Sequence, residues 1–479
     1  MQFISLHYFV FFSIVAIGYF YIPQRFRWML LLSANYYFYM CWKPEYALLI
    51  IASTLVAYIT GKKMGSASGK KDKKKYLIVS LLINLGILFG FKYFNFFNDS
   101  FRAFFTSINI FYNVPAFHVL LPVGISFYTF QALSYSIEVY RGNQKPENHF
   151  GIFALYVSFF PQLLAGPIER PTNMLPQFHE KYKFDYERIT NGIKLIAWGI
   201  FKKVVIADRL AVCVNQVYNA PQDHPGLPLI IATYFFAFQI YCDFSGYTDI
   251  AIGSAQILGF RLMENFRQPY FSTSVSEFWR RWHISLSTWF RDYLYIPLGG
   301  NRTGKTRFYC NIFLTFVISG LWHGANWTFV IWGSLHGLYV IIGRMTYDIR
   351  KKIAHRLHLH HIPGVWRGFQ ILITFHLVLF AWIFFRANSL TDAMYIISHL
   401  FSSFDFQYDQ LGLDGFEFKI AILFLLIMEF THILQEKDSV RKQLSKKPFM
   451  TRWSAYYLLV MTILLFGNFG ESPFVYFQF

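Results

Sequence analysis

The chain has 479 residues, of which 55% are hydrophobic, 21% aromatic and 15% charged; soluble domains carry about 25% charged residues, so an ordinary soluble globule is excluded. The formal net charge is +18. Lys and Arg nevertheless sit in short clusters between apolar runs, which is the pattern of a positive-inside membrane topology and not of a nucleic-acid-binding stripe.

A crossing needs about 20 mainly apolar residues. In chain order the candidate spans are 3–22, 26–42, 46–60, 76–95, 118–138, 150–166, 190–207, 228–242, 247–260, 310–323, 326–343, 368–386, 418–434 and 454–470. The first has no basic flank and no small-residue cleavage site, so it reads as a span and not as a signal peptide. Several pieces are short. The stretches 228–260 and 310–343 read as broken or re-entrant helices, the first interrupted at Asp243–Gly246 and the second between the pieces 310–323 and 326–343. Such backbone is tolerated in a membrane only under cover of protein or beside a water-filled cavity. Segments 167–189 and 261–309, rich in Arg, Trp and Tyr, read as cytoplasmic interfacial helices and loops.

Orientation follows from the loops. Residues 61–75 hold seven lysines, and 344–367 and 435–453 are also basic; all three are expected in the cytoplasm. Between Arg386 and Lys419 there are only acids, among them Asp392, Asp405, Asp409, Asp414 and Glu417, so that loop is expected outside. Both ends of the chain then fall outside. The four cysteines, Cys41, Cys213, Cys242 and Cys310, lie in or beside apolar segments without CxxC spacing and read as small buried hydrophobes. His355, His358, His360 and His361 lack accompanying carboxylates and read as a solvated loop tract.

Ionisable groups inside a membrane are costly and mark functional candidates. Four clusters stand out. In SFFPQLLAGPIERP, 158–171, Glu169 and Arg170 are either a local pair at a helix end or part of a cavity lining. In YCDFSGYTDIAIG, 241–253, Asp243 or Ser245 can cap the segment that follows a break, and Asp249 lies close by. In SEFWRRWHISLSTWFRDYLYIPLGGNR, 276–302, a continuous helix places Arg280, Ser287 and Arg291 on one side with His283 three residues from Arg280. Arg280, Arg281, Trp279 and Trp282 are either interfacial anchors or a basic, aromatic mouth for an anionic donor. In ISGLWHGANWTFVIWGSLHG, 318–337, His323 is flanked by Gly320, Gly324 and Asn326, which let the backbone bend or be approached closely. A neutral imidazole there can take a proton from a hydroxyl; the bland alternative is a satisfied core histidine. The spacing of His323 and His336 puts them on different helical faces.

Taken together, DFSGYTDIAIG, FWRRWHISLSTWFRDYLYIPLGG, GLWHGAN, LLPVGISFYTFQ (120–131) and FFPQLLAGPIERP resemble the membrane-bound O-acyltransferase (MBOAT) family, specifically its AlgI/PatA-like polysaccharide O-acetylation branch. The resemblance implies an all-α integral membrane fold: a multi-spanning helical ring with funnels from both faces meeting near a histidine that maps to His323. A second family histidine maps to His283. One integral domain is expected over 1–479, with N-terminal spans in 1–140, a catalytic core in 150–345, C-terminal spans in 368–470 and an extracytoplasmic tail in 471–479. The implied activity is O-acetyl transfer from a cytoplasmic donor, acetyl-CoA or a related activated acyl species, to an extracytoplasmic polysaccharide such as an alginate-like exopolysaccharide or peptidoglycan. It implies no bound cofactor or metal, and a periplasmic SGNH-type O-acetyltransferase as partner in the bacterial inner membrane. The ending ESPFVYFQF resembles a segment in which a tyrosine is proposed to carry the acyl group; the matching residue is Tyr476. A D-alanyl transferase of the DltB type, a lipid acyltransferase and a non-catalytic transporter remain alternatives.

Overall fold

The computed structural model describes residues 1–117, 121–164, 166–405, 407–436, 439–470 and 474–475. Every regular element among the described residues is a helix, with no strand among them. Six helices are long and apolar enough to cross a bilayer: Pro44–Ser66, Lys70–Ser107, Leu227–Leu258, Trp327–Met345, Pro363–Arg386 and Phe449–Phe466. Leu6–Tyr21 and Phe150–Leu163 are shorter apolar helices. The chain is thus a multi-pass membrane protein. The outer face of such a protein is apolar because lipid is its solvent. Leu458, Leu464 and Leu465 on Phe449–Phe466 are accordingly exposed, as are Leu6, Ile14 and Ile17 on Leu6–Tyr21. The cysteine reading is corrected in half. Cys213 and Cys242 are buried, whereas Cys41, just past the end of Gln24–Met40, and Cys310, near the start of Lys305–His323, are exposed.

The chain forms two compact units, residues 1–196 with 250–263, and residues 197–249 with 264–479. In the first, Ser5 caps Leu6–Tyr21 by accepting the Tyr8 N–H. Helices Ala47–Ser66, Lys70–Leu88 and Ile125–Arg141 are joined by buried hydroxyl and amide contacts: Ser53 Oγ donates to Asn84 Oδ1 (2.5 Å), and Ser80 and Ser136 share a 2.7 Å hydrogen bond. Polar side chains of this kind hold helices together where the surrounding solvent is as apolar as the core. Tyr8 reaches Ser254 Oγ at 2.7 Å.

The second unit contains the candidate chemistry. Leu227–Leu258 runs unbroken for 32 residues, so the expected break at Asp243–Gly246 is absent and neither Asp243 nor Ser245 is an N-cap. Gly246 serves close packing instead: a Cβ there would lie 2.8 Å from the Gly199 carbonyl oxygen and 3.3 Å from the Lys203 nitrogen. The other expected break is present. Lys305–His323 ends at Gly324, and Trp327–Met345 starts after Asn326, whose side chain accepts the Thr328 N–H at 3.0 Å. The two helices pack through glycines. A Cβ on Gly320 would collide with the Phe329 carbonyl oxygen, and one on Gly333 with that of Phe316.

Candidate functional site

His323 is the last residue of its helix and is 3% exposed. Its ring meets Trp332 edge-on at 4.9 Å, Trp322 at 5.0 Å and Phe385 at 5.6 Å. This aromatic cage fixes the plane of the imidazole and keeps the surroundings apolar. A helix C-terminus carries partial negative charge, which favours a cation beside it. The position therefore suits a base that becomes positively charged when it takes a proton.

His283 lies 6.4 Å from His323, centroid to centroid, and is completely buried. The single helix expected over 276–291 does not form. Val275–Arg281 ends, Trp282 is extended, and His283 takes a left-handed conformation (φ +43°) before Ile284–Phe290 begins. Positive φ is unfavourable for a residue with a Cβ. Asn265 holds the turn. Its backbone carbonyl accepts the Ile284 N–H, and its Oδ1 accepts the Ser285 N–H at 3.2 Å and the Ser285 hydroxyl at 2.8 Å. Oδ1 also lies 3.2 Å from His283 Nδ1. An amide oxygen only accepts, so Nδ1 carries the proton and Nε2 is the basic nitrogen. Burial pushes the His283 imidazole down to about 3, so it is neutral near pH 7.

The break at Trp282–His283 separates Arg280 from Ser287 and Arg291, so these three do not share one helical side. Arg280 is exposed, and Arg281 pairs with Glu277 at 2.7 Å. Trp279 and Trp282 are buried. The Trp279 indole N–H donates to His336 Nδ1 at 3.2 Å, and Trp282 packs on Trp382 at 5.2 Å. Of the four residues expected at a donor mouth, the two arginines present surface, while the two tryptophans build the aromatic core behind them. His323 and His336 sit on different helices yet flank the same ring, since Trp332 is 5.0 Å from His336.

The structure adds a buried charge cluster that sequence reasoning missed. Lys203, on the π-helical turn Phe201–Ala207, bridges Asp208 (2.7 Å) and Asp243 (2.8 Å). Its neighbour Lys202 pairs with Asp249 at 2.8 Å and donates to Ser245 Oγ at 2.8 Å. The signal was present in FKKVV, two lysines inside an apolar run. The other oxygen of Asp243 accepts the backbone N–H of Val475 at 2.7 Å. Phe474 and Val475 are 0% and 3% exposed. Phe474 packs on Tyr247 (4.6 Å) and on Phe244 (5.7 Å), and Phe244 meets His283 edge-on at 4.7 Å. Tyr476 itself lies outside the described residues.

Two candidates remain. Glu169, in the first unit, is fully buried and accepts the Met263 N–H at 2.6 Å and the Asn173 amide at 2.7 Å. It clamps a loop, and burial raises its carboxyl against the pull of those hydrogen bonds. His355, His358 and His361 are exposed, while the side chain of His360 lies outside the description. Among the described residues no three His, Cys, Asp or Glu side chains are grouped to hold a metal ion.

The family model of membrane-bound O-acyltransferases matches residues 149–387, which include His283, His323 and both helices of the glycine-packed hairpin. The chain is 38% identical over 485 residues to the Pseudomonas putida protein described as "Probable alginate O-acetylase AlgI", covering 97% of each chain. It is 35% identical over 398 residues to the "Peptidoglycan O-acetyltransferase" of Helicobacter pylori, covering 77% of this chain and 72% of that one. Similarity to the "Teichoic acid D-alanyltransferase" of Streptococcus thermophilus is 29% over 289 residues, or 55% of this chain and 68% of that one. With an all-helical, multi-pass fold and a buried histidine pair inside the matched region, the chain belongs to the membrane-bound O-acyltransferase family and is an O-acyltransferase.

Proposed function

We propose that this enzyme O-acetylates an extracytoplasmic polysaccharide, alginate-like or peptidoglycan, drawing acetyl groups from a cytoplasmic donor such as acetyl-CoA across the bacterial inner membrane. The observation that carries the reading is the line of contacts from His323 through His283 and Phe244 to the buried Phe474–Val475 segment. The residue next in sequence is Tyr476, whose phenol is the acyl acceptor in this reading. His323 removes the phenolic proton as the oxygen attacks the donor carbonyl; the C–O bond forms, the C–S bond breaks, and the proton passes to the departing thiolate. A phenol has a pKa near 10 and needs such a base at neutral pH. Trp322, beside both histidines, is the side chain best placed to donate to the developing oxyanion. Trp327, by contrast, is 54% exposed. Arg280 and Arg281 receive the anionic donor. His283, neutral with Nε2 as its basic nitrogen, positions or relays a proton beside His323. A periplasmic SGNH-type protein takes the acetyl group from the tyrosyl ester to the polymer.

The relatives named for O-acetylation cover more of this chain at higher identity than the D-alanyl transferases do, which favours acetyl over D-alanyl. The test is labelled acetyl-CoA supplied to purified enzyme in proteoliposomes. Label is expected to appear on the enzyme as an ester and to be absent from Tyr476→Phe. An unlabelled wild type under active conditions, or a Tyr476→Phe variant that acetylates normally, overturns the acyl-tyrosine route.

A further inference from the structure

We propose that Asp243 is a positioning residue, a latch that seats the 474–475 segment at the site through the Val475 backbone N–H. This rests on the reading above, in which that segment presents the acyl-accepting hydroxyl.

The argument begins from charge. Lys203 is a single cation facing two carboxylates, Asp208 at 2.7 Å and Asp243 at 2.8 Å. The adjacent lysine is engaged elsewhere, with Asp249 and Ser245. Asp208 and Asp243 share that one cation, so Asp243 is a second carboxylate at a site that is 1% exposed, with an oxygen left over after its contact with Lys203. Buried charge is tolerated only when its oxygens are hydrogen-bonded. Asp243 Oδ2 meets that need with the Val475 N–H at 2.7 Å. A hydrogen bond to an ionised acceptor is roughly twice as strong as a neutral one. Because the donor is a backbone group, the bond fixes the register of the segment whatever side chain occupies 475.

The side chains supply the second constraint. Phe474 packs between Tyr247 and Phe244, one helical turn apart on the same helix as Asp243. Lys203 lies over the Tyr247 ring at 5.4 Å, tying this aromatic slot to the charge cluster. One helix face therefore offers an acceptor for the 475 backbone and an apolar slot for residue 474. The same Phe244 that lines the slot touches His283. A seated segment thus ends against the ring that touches His283.

The experiment uses the full-length enzyme with Asp243→Ala, Asp243→Asn, Val475→Pro and Tyr476→Phe. Amide exchange at Val475 is read by mass spectrometry, and acetyl transfer is resolved into kcat and donor KM. Asp243→Ala leaves Lys203 its Asp208 partner, so insertion and folding are expected to persist. It should speed exchange at Val475 by about tenfold or more, the loss expected for a hydrogen bond to a charged group. It should also lower kcat more than tenfold with donor KM within about twofold, as expected for loss of an interaction other than donor binding. Asp243→Asn, which keeps an acceptor oxygen, should recover most of the protection and part of kcat. Val475→Pro lacks the N–H and should lower kcat as Asp243→Ala does, with little further loss in the double variant because the two act on one bond. Unchanged exchange in Asp243→Ala, or full additivity of the two substitutions, overturns the latch. Tyr476→Phe separates the two ideas, since it should stop transfer while leaving Val475 protected. If it stays active, the acyl-tyrosine route fails while the exchange data still decide whether Asp243 holds the segment.

Discussion

Replacing His323 with glutamine separates chemistry from structure. The imidazole touches three aromatic rings, at 4.9, 5.0 and 5.6 Å. At about 0.5–1.5 kcal/mol per aromatic pair, removing the ring altogether would destabilise the fold by about 1.5–4.5 kcal/mol. Glutamine retains part of that volume, so its effect should fall at or below the lower end of the range. Loss of a general base lowers a rate about 10²–10⁴-fold, equivalent to about 2.7–5.5 kcal/mol in the barrier. The catalytic deficit should therefore exceed the folding deficit by a clear margin. The assay is labelled acetyl transfer in proteoliposomes, normalised to monodisperse protein by size-exclusion chromatography, with a thermal melt on the same sample. His323→Gln should elute normally, melt within a few degrees of wild type and transfer acetyl at about a hundredth of the wild-type rate or less. A well-folded variant within threefold of wild type would remove His323 from the chemistry and revive the transporter reading.

Three further outcomes follow from local geometry. His283 titrates at about 3 when folded and near 6.5 when unfolded. A depressed folded pKa contributes stability that is complete above about 6.5 and lost as pH falls towards 3. Melts should show a loss of about 2 kcal/mol between pH 7.5 and pH 5 attributable to this residue, and that component should vanish in His283→Asn; a pH dependence identical in both proteins would refute it. Gly320→Ala drives a Cβ into the Phe329 carbonyl and within 3.2 Å of the Gly333 Cα; it should destabilise the hairpin by about 1–3 kcal/mol, visible as a lower melting temperature with reduced kcat. Glu169→Gln gives up one strong acceptor for the Met263 N–H or the Asn173 amide, and should lower stability by about 1–3 kcal/mol while leaving donor KM unchanged.

What the sequence disclosed, and what it hid, divides along the range of the interactions involved. The break after His323 was readable because its causes are local: Gly324 ends one helix and Asn326 caps the next within three residues. The break expected at Asp243–Gly246 was misread because the same residue types there answer to distant partners. Gly246 admits the Gly199–Lys203 backbone, and Asp243 is compensated by Lys203, forty residues earlier, and by Val475, 232 positions later. An intramembrane carboxylate looks like a helix breaker only while its counter-charge is out of view. The misreading of 276–291 as one helix has the same origin, because Asn265 stabilises the left-handed turn at His283 from outside the motif. Lys202 and Lys203 were legible in principle, since two cations in an apolar run demand partners, and demanding them leads directly to Asp208, Asp243 and Asp249. Asp243 is a paired charge inside a continuous helix, and the oxygen it keeps beyond its Lys203 contact is the one that the Val475 N–H fills.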